Sequence, residues 1–214
     1  MMNKTKSALI VIDPQNDFCE GGALAVKGGG ALMPKINELA KKFDVVVVSQ
    51  DWHSRNNVSF ASVHGVDPFT TKDVQYHPGE ELTTQVMWPD HCVMGTVGAD
   101  FHPDVKPAVD KAISIIRKGY RDNIDSYSAF FENDGRTPTG LDGLLRELGI
   151  KNIYLCGIAL DYCVRYTAED AARLGYEVTV ITDATAAIAP NTEDDARESF
   201  KNLGVHEIRT SQVN

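Results

Sequence analysis

The chain has 214 residues, 43% hydrophobic and 24% charged, enough for one domain of ordinary size and close to the soluble globular average, which excludes disordered and fibrous classes. Its net charge of −9, with no Lys/Arg cluster larger than Lys41-Lys42, speaks against a nucleic-acid partner. No apolar run approaches the roughly 20 residues of a membrane span. The basic first residues run into only five apolar positions before Asp13, too short for a signal peptide. The four cysteines lack Cys-x-x-Cys spacing, which suits reduced thiols in the cytoplasm.

In chain order, the first β-branched run, 8–13, reads as a buried strand. Leu32, Ile36, Leu39 and Phe43 then follow at helical spacing,. A second strand is expected over 45–50. Between Gln50 and Ile113 lies a long connection with weak periodicity, rich in Pro, Gly, His and aromatics. A connection this long inside a compact domain is usually functional or disordered, and its aromatic content argues against disorder. A third strand is expected over 113–118. Leu141, Leu144, Leu145 and Leu148 mark a helix opened by Thr139 with Asp142 and stopped by Gly149,. Strand 152–157 precedes a helix from Asp161, its candidate N-cap, to Leu174,. Strand 177–183, a helix opened by Thr192 with Asp195 and running to Leu203, and strand 207–210 complete the pattern. Strands alternating with helices predict one α/β domain over 1–214, with three α/β/α layers and a six-stranded, mainly parallel, doubly wound sheet.

Ligands of such sheets bind beyond the carboxyl ends of the strands. Asp13, Asp51 with His53, Lys118, and the turn carrying Cys163 occupy those ends. Cys163 follows a turn and opens a helix, where the helix N-terminus and a nearby lysine favour a thiolate and free backbone N–H groups can hold an oxyanion. A buried structural thiol is an equal alternative from position alone. Cys19, Cys92 and Cys156 lack that setting. Asp13 reads equally as a cap or ion-pair partner and as a catalytic acid; Lys118 alone reads as a strand-end charge. Together they equip a cysteine nucleophile. Asp51 and His53, two residues apart, face one spot, and one more histidine would complete a metal site with open positions. Spacing does not choose among His64, His77, His91 and His102. Gly28-Gly29-Gly30 lies too far from the first strand for a dinucleotide loop.

Ile12-Asp13-Pro14-Gln15-Asn16-Asp17-Phe18, Asp51-Trp52-His53, Trp88-Pro89-Asp90-His91-Cys92, Lys118-Gly119, Asp125-Ser126-Tyr127-Ser128-Ala129-Phe130 and Gly157-Ile158-Ala159-Leu160-Asp161-Tyr162-Cys163-Val164 together resemble the metal-containing nicotinamidases of the isochorismatase-like cysteine hydrolases. The resemblance implies an amidohydrolase that converts nicotinamide to nicotinate and ammonia through a cysteine thioester in NAD salvage, with pyrazinamide a further substrate. It implies a catalytic triad of Asp13, Lys118 and Cys163, an oxyanion hole from the backbone of Ala159 and Cys163 with a cis peptide before Ala159, and a ring pocket walled by Phe18, Trp88 and Tyr127. It further implies one divalent ion (Zn, Fe or Mn) on Asp51, His53 and His91 that organises the long connection and anchors the pyridine nitrogen. Asn56 and Asn57 stand where some members carry a fourth metal-binding histidine, Leu160 where threonine is common, and Pro14 where an apolar residue is usual. The alternative is a metal-independent hydrolase of the same fold acting on another small amide. The partners implied are small molecules, without nucleic acid or membrane; monomer and homo-oligomer stay open. Strand spacing of about 4.8 Å favours the order 2-1-3-4-5-6, which lets Lys118 reach Asp13 from an adjacent strand.

Overall fold

The computed structural model describes residues 6–213. Strands β1 (Ser7–Ile12), β2 (Val45–Asp51), β5 (Ser114–Lys118), β6 (Asn152–Ile158), β7 (Glu177–Ala186) and β8 (His206–Ile208) form the central sheet; β3 (Thr71–Val74) and β4 (Thr83–Val86) form a separate antiparallel hairpin. All pairings in the central sheet are parallel. Alternation along the strands divides the core. Leu9, Val11, Val46 and Val48 face a layer that includes Ile36 and Leu39 of α1 (Met33–Lys41) and Ala108 of α3 (Lys106–Lys111). Ala8, Ile10, Val47 and Leu155 face Leu141 and Leu145 of α4 (Leu141–Glu147), Ala168 and Ala171 of α5 (Arg165–Arg173) and Phe200 of α6 (Pro190–Leu203). With helices on both faces, these strands are apolar on both sides. No helix among the described residues is long and apolar enough to cross a membrane.

The sheet order β5-β2-β1-β6-β7-β8 corrects the expected one. The third strand of the sheet lies at the edge beside β2, two places from β1. The expectation counted strand spacing and left out side-chain length. Lys118 pairs in register with Asp51, and its long side chain crosses the end of β2 to reach Asp13 beyond the end of β1.

The connection after β2 is organised by its own contacts. It contains the short helix α2 (Ala61–His64), the β3–β4 hairpin and α3. Ala61, Val74, Tyr76 and Met87 pack with Ile124 into a small separate core. Bridges between His53 and Val93 and between Phe60 and Trp88 return the chain to the end of β2.

Asp161 is not the N-cap of α5. The residues Leu160–Val164 form a π-helical turn, and α5 begins at Arg165. The buried Asp161 carboxylate instead accepts the N–H groups of Ile188 (3.0 Å) and Ala189 (3.1 Å) and the Thr192 hydroxyl (2.5 Å). These bonds tie down the turn that leads into α6, which starts at Pro190, two residues before the expected Thr192. A carboxylate there satisfies buried backbone donors and lies near the positive end of the helix. Asp161→Ala is expected to lower the unfolding free energy by about 2 kcal/mol, read as a shift of the urea midpoint. An unchanged midpoint would show that these bonds contribute nothing in solution.

Candidate active site

Four chain segments meet at the carboxyl rim of the sheet. Asp13 follows β1 with φ 44°, a left-handed conformation that turns its side chain out of the strand course. Asp51 and Lys118 end β2 and β5, and Cys163 sits in the π turn after β6. The Lys118 ammonium is fully buried. It donates to Asp51 Oδ1 (2.5 Å) and to the Ser126 carbonyl (2.9 Å), and it lies 3.4 Å from Cys163 Sγ. Asp13 Oδ1 accepts from the Ser49 hydroxyl at 2.7 Å. Asp13 Oδ2 lies 2.9 Å from the ammonium as an ion pair and has no second polar partner. One carboxylate oxygen each from Asp13 and Asp51 and the Cys163 sulfur lie within 4.8 Å of one another. The structure thus brings the three expected residues together.

Burial sets the proton inventory. It pushes the Cys163 thiol well above its ordinary value; Lys118 opposes the shift but Asp51 and Asp13 add to it. Burial likewise raises Asp13 to about 6 against the pull of Lys118. For Lys118, burial disfavours the charge, but Asp13 and Asp51 overcome it and hold the ammonium firmly protonated. For Asp51, burial is outweighed by Lys118, His53 and His91, and the carboxyl stays well below the usual range. These shifts favour a neutral thiol beside the Asp13 carboxylate.

The peptide between Ile158 and Ala159 is cis, as expected. The Ala159 carbonyl accepts the N–H groups of Tyr162 and Val164, on either side of Cys163. The Cys163 N–H between them is not tied to that carbonyl, which suits a donor facing a developing oxyanion.

Asp51, His53 and His91 also converge. Asp51 Oδ2 lies 3.5 Å from His53 Nε2 and 4.0 Å from His91 Nε2, and the three donor atoms fit within one coordination sphere. His53 Nδ1 is 2.9 Å from the Gly119 carbonyl and His91 Nδ1 is 2.8 Å from the Pro89 carbonyl. A carbonyl only accepts, so each Nδ1 carries a hydrogen, and Nε2, the nitrogen nearer Asp51, is the one that would face an ion. Two imidazoles and a carboxylate with the outer nitrogens satisfied fit a divalent ion with open positions. The other candidates are occupied elsewhere: His64 with the Val58 carbonyl, His77 with Asp134 and His102 with the Asp104 N–H. Asn57 holds the Gly119 and Arg121 carbonyls, which braces the residue that fixes His53.

Phe18, Trp88 and Tyr127 line the same cleft as Cys163 and the three candidate ligands. Trp88 donates its ring N–H to the Tyr127 hydroxyl at 3.0 Å, and Phe18 packs 5.5 Å from the His91 ring. The cleft also takes Leu24, Asp125, Tyr162 and Ile188, none of which the sequence singled out as lining. Asp125 and Tyr162 stand inside motifs already quoted, so their signal was present; Leu24 and Ile188 come from irregular segments with no periodicity to read.

The isochorismatase domain model matches residues 7–212. The chain belongs to the isochorismatase-domain family. Within this family, a nicotinamidase of Acinetobacter baylyi is 49% identical over 192 residues, 89% of this chain and 86% of the relative. The solved Acinetobacter baumanii nicotinamidase/pyrazinamidase superposes with a TM-score of 0.92 at 43% identity, covering 99% of this chain and 100% of that one. A Pyrococcus horikoshii pyrazinamidase solved in complex with zinc has a TM-score of 0.76 at 36% identity, with 95% and 99% coverage.

Gly119 offers a test of the imidazole arrangement in this family member. It has φ +66°, and an added Cβ would lie 2.5 Å from His53 Cε1 and 2.6 Å from Nδ1. Gly119→Ala is expected to displace the ring and weaken binding of a divalent ion at the candidate site by roughly 10–100-fold, measured by chelator competition. Parent-like affinity would show that the His53 orientation does not govern the ion.

Proposed function

We propose that the chain hydrolyses nicotinamide to nicotinate and ammonia through a Cys163 thioester. One observation carries this reading: the Cys163 sulfur and the Asp51, His53 and His91 donors open into a single aromatic-lined cleft. A nucleophile and a candidate ion site side by side suit a flat ring with a nitrogen at one end and a carboxamide at the other. Asp51, His53 and His91 would hold the divalent ion, which when bound supplies a Lewis-acid anchor for the pyridine nitrogen. Zn²⁺, Fe²⁺ and Mn²⁺ all accept this donor set; zinc, present in the archaeal relative, is the first to test.

Phe18, Trp88 and Tyr127 would hold the ring flat, which lowers the entropic part of the barrier. Asp13 takes the thiol proton as Sγ bonds to the amide carbon, and the oxyanion sits on the Ala159 and Cys163 N–H groups. Lys118 stays protonated, offsets the Asp51 carboxylate and stabilises the sulfur as it loses its proton to Asp13. As the C–N bond breaks, Asp13 returns its proton to the departing nitrogen, and ammonia leaves. Water then attacks the thioester with Asp13 as base, the C–S bond breaks, nicotinate leaves, and Cys163 recovers its proton. The product would feed NAD salvage. Pyrazinamide, with the same carboxamide on a similar ring, would be a second substrate. Four unpaired cysteines suit a cytoplasmic setting.

Ammonia release from nicotinamide by the purified protein, with nicotinate identified by chromatography, tests the reading directly. Cys163→Ala should lower the rate by at least about 10³-fold, as for loss of other covalent nucleophiles; ammonia release at the parent rate would overturn the nucleophile. Full activity after exhaustive chelation would favour the metal-independent alternative. The pH profile of kcat/KM should fall as pH drops through the Asp13 value of about 6, because only the carboxylate can accept the thiol proton. Asp13→Asn should abolish activity at every pH, and an acid limb that survives a residually active Asp13→Asn protein would assign the limb to another group.

A further inference from the structure

Asp17 lies one residue before the ring-wall residue Phe18, outside the triad and outside the candidate ion ligands, yet its carboxylate is built into three chain segments. Oδ1 accepts the Ala23 N–H at 3.1 Å, and the Asp17 carbonyl accepts the Leu24 N–H at 3.0 Å. These bonds fold the 17–24 segment back on itself and set both Phe18 and Leu24 against the cleft. Oδ2 accepts the Cys92 N–H at 2.7 Å, a charge-assisted bond. The turn at 97–99 closes over the same carboxylate: a Cβ on Gly98 would sit 2.1 Å from Oδ2.

Cys92 is the peptide through which the two imidazoles are linked. It follows His91 in the chain, and its carbonyl accepts the His53 N–H at 3.0 Å. Its own φ of 45° places a non-glycine residue in the left-handed region, a conformation that persists only where its surroundings determine it. Asp17 supplies that determination from one side and His53 from the other. The side chain that shapes the ring wall therefore also fixes the backbone that aims both imidazoles.

We propose that Asp17 is a positioning residue that couples ion affinity to ring binding. The proposal rests on the reading of the cleft as a nicotinamide site. Asp17→Asn keeps the size and removes one acceptor, setting an amide N–H against either the Ala23 or the Cys92 N–H. Gly98→Ala keeps the charge and pushes the carboxylate off its partners. Three quantities decide: the zinc dissociation constant of the metal-free protein by chelator competition, KM and kcat for nicotinamide at saturating zinc, and the melting temperature without zinc. The expected pattern for Asp17→Asn is a zinc dissociation constant raised roughly 10–100-fold and a KM raised about tenfold, with kcat within about threefold of the parent. Gly98→Ala should reproduce the direction of both changes, and it decides alone if Asp17→Asn does not fold. A fall in melting temperature with zinc affinity and KM unchanged would make Asp17 a purely structural residue and overturn the proposal. Movement of only one of the two constants would overturn the coupling, and so would a loss confined to kcat. Absence of ammonia release by the parent protein would sink the nicotinamide reading by itself; the zinc arm needs no turnover and would still stand or fall alone.

Discussion

A fully buried ammonium is tolerable only where carboxylates and carbonyls replace its water, since stripping that water costs several kcal/mol. Lys118 meets this condition with partners from three other places in the chain: Asp51 at 2.5 Å, Asp13 at 2.9 Å and the Ser126 carbonyl at 2.9 Å. The ends of β1, β2 and β5 and the 125–128 segment must therefore converge, whatever else the rim does. The same requirement places Cys163 Sγ 3.4 Å from the ammonium. Asp51 links the two halves of the site, with Oδ1 on Lys118 and Oδ2 facing the imidazoles. Removing either charge of this pair would leave the other uncompensated in the interior, so its loss would damage the fold as well as the chemistry.

The electrostatics also bear on the proposed nucleophile. Three anions around one cation are more than the site can carry without water, and the thiol is the group that gives up its charge. A resting thiolate–ammonium pair would need the helix end and Lys118 to outweigh burial and two carboxylates, and they do not. Asp13, near 6, is the acid whose protonation state changes most readily, and its Oδ2 faces only the Lys118 ammonium. In the proposed mechanism a base placed this way would exchange a proton with sulfur at little electrostatic cost, because the total charge of the cluster is unchanged by the transfer.

Much of this rim was legible in the sequence because a buried strand that ends in a charged residue has few places to put it. Asp13, Asp51, Lys118 and Cys163 could be assigned to one end of the sheet from the alternation of strands and helices alone. Selecting His91 from four histidines required the resemblance, since its position depends on how the 52–113 segment folds back. Strand spacing alone misplaces β5, because a lysine side chain spans more than one strand spacing. Asp161 resembles a cap for the helix that follows it, but its donors lie about thirty residues away, in the turn into α6 and on Thr192, a long-range satisfaction that no local pattern reveals. Asp17 stood inside a quoted motif; its bond to Cys92 joins residues 75 apart and leaves no local trace.

The division of labour between sheet and insertion follows from these contacts. The sheet supplies Asp13, Asp51 and Lys118 at its strand ends and Cys163 in the π turn that follows β6. Apart from Asp51 and His53 at the end of β2, the opposite side of the cleft comes from irregular segments: His91 and Trp88 from the insertion, Phe18 and Leu24 from the 17–24 loop. An irregular segment holds position only if its backbone groups are satisfied, and here carboxylates and carbonyls at fixed points do that: Asp17 for Cys92, Gly119 for His53, Pro89 for His91. The separation between the proposed ring anchor and the sulfur is therefore set by hydrogen bonds between insertion and sheet, while the nucleophile itself is set by charge. Changes to the loops should alter which ring is accepted, whereas changes to the strand ends should alter whether any amide is cleaved.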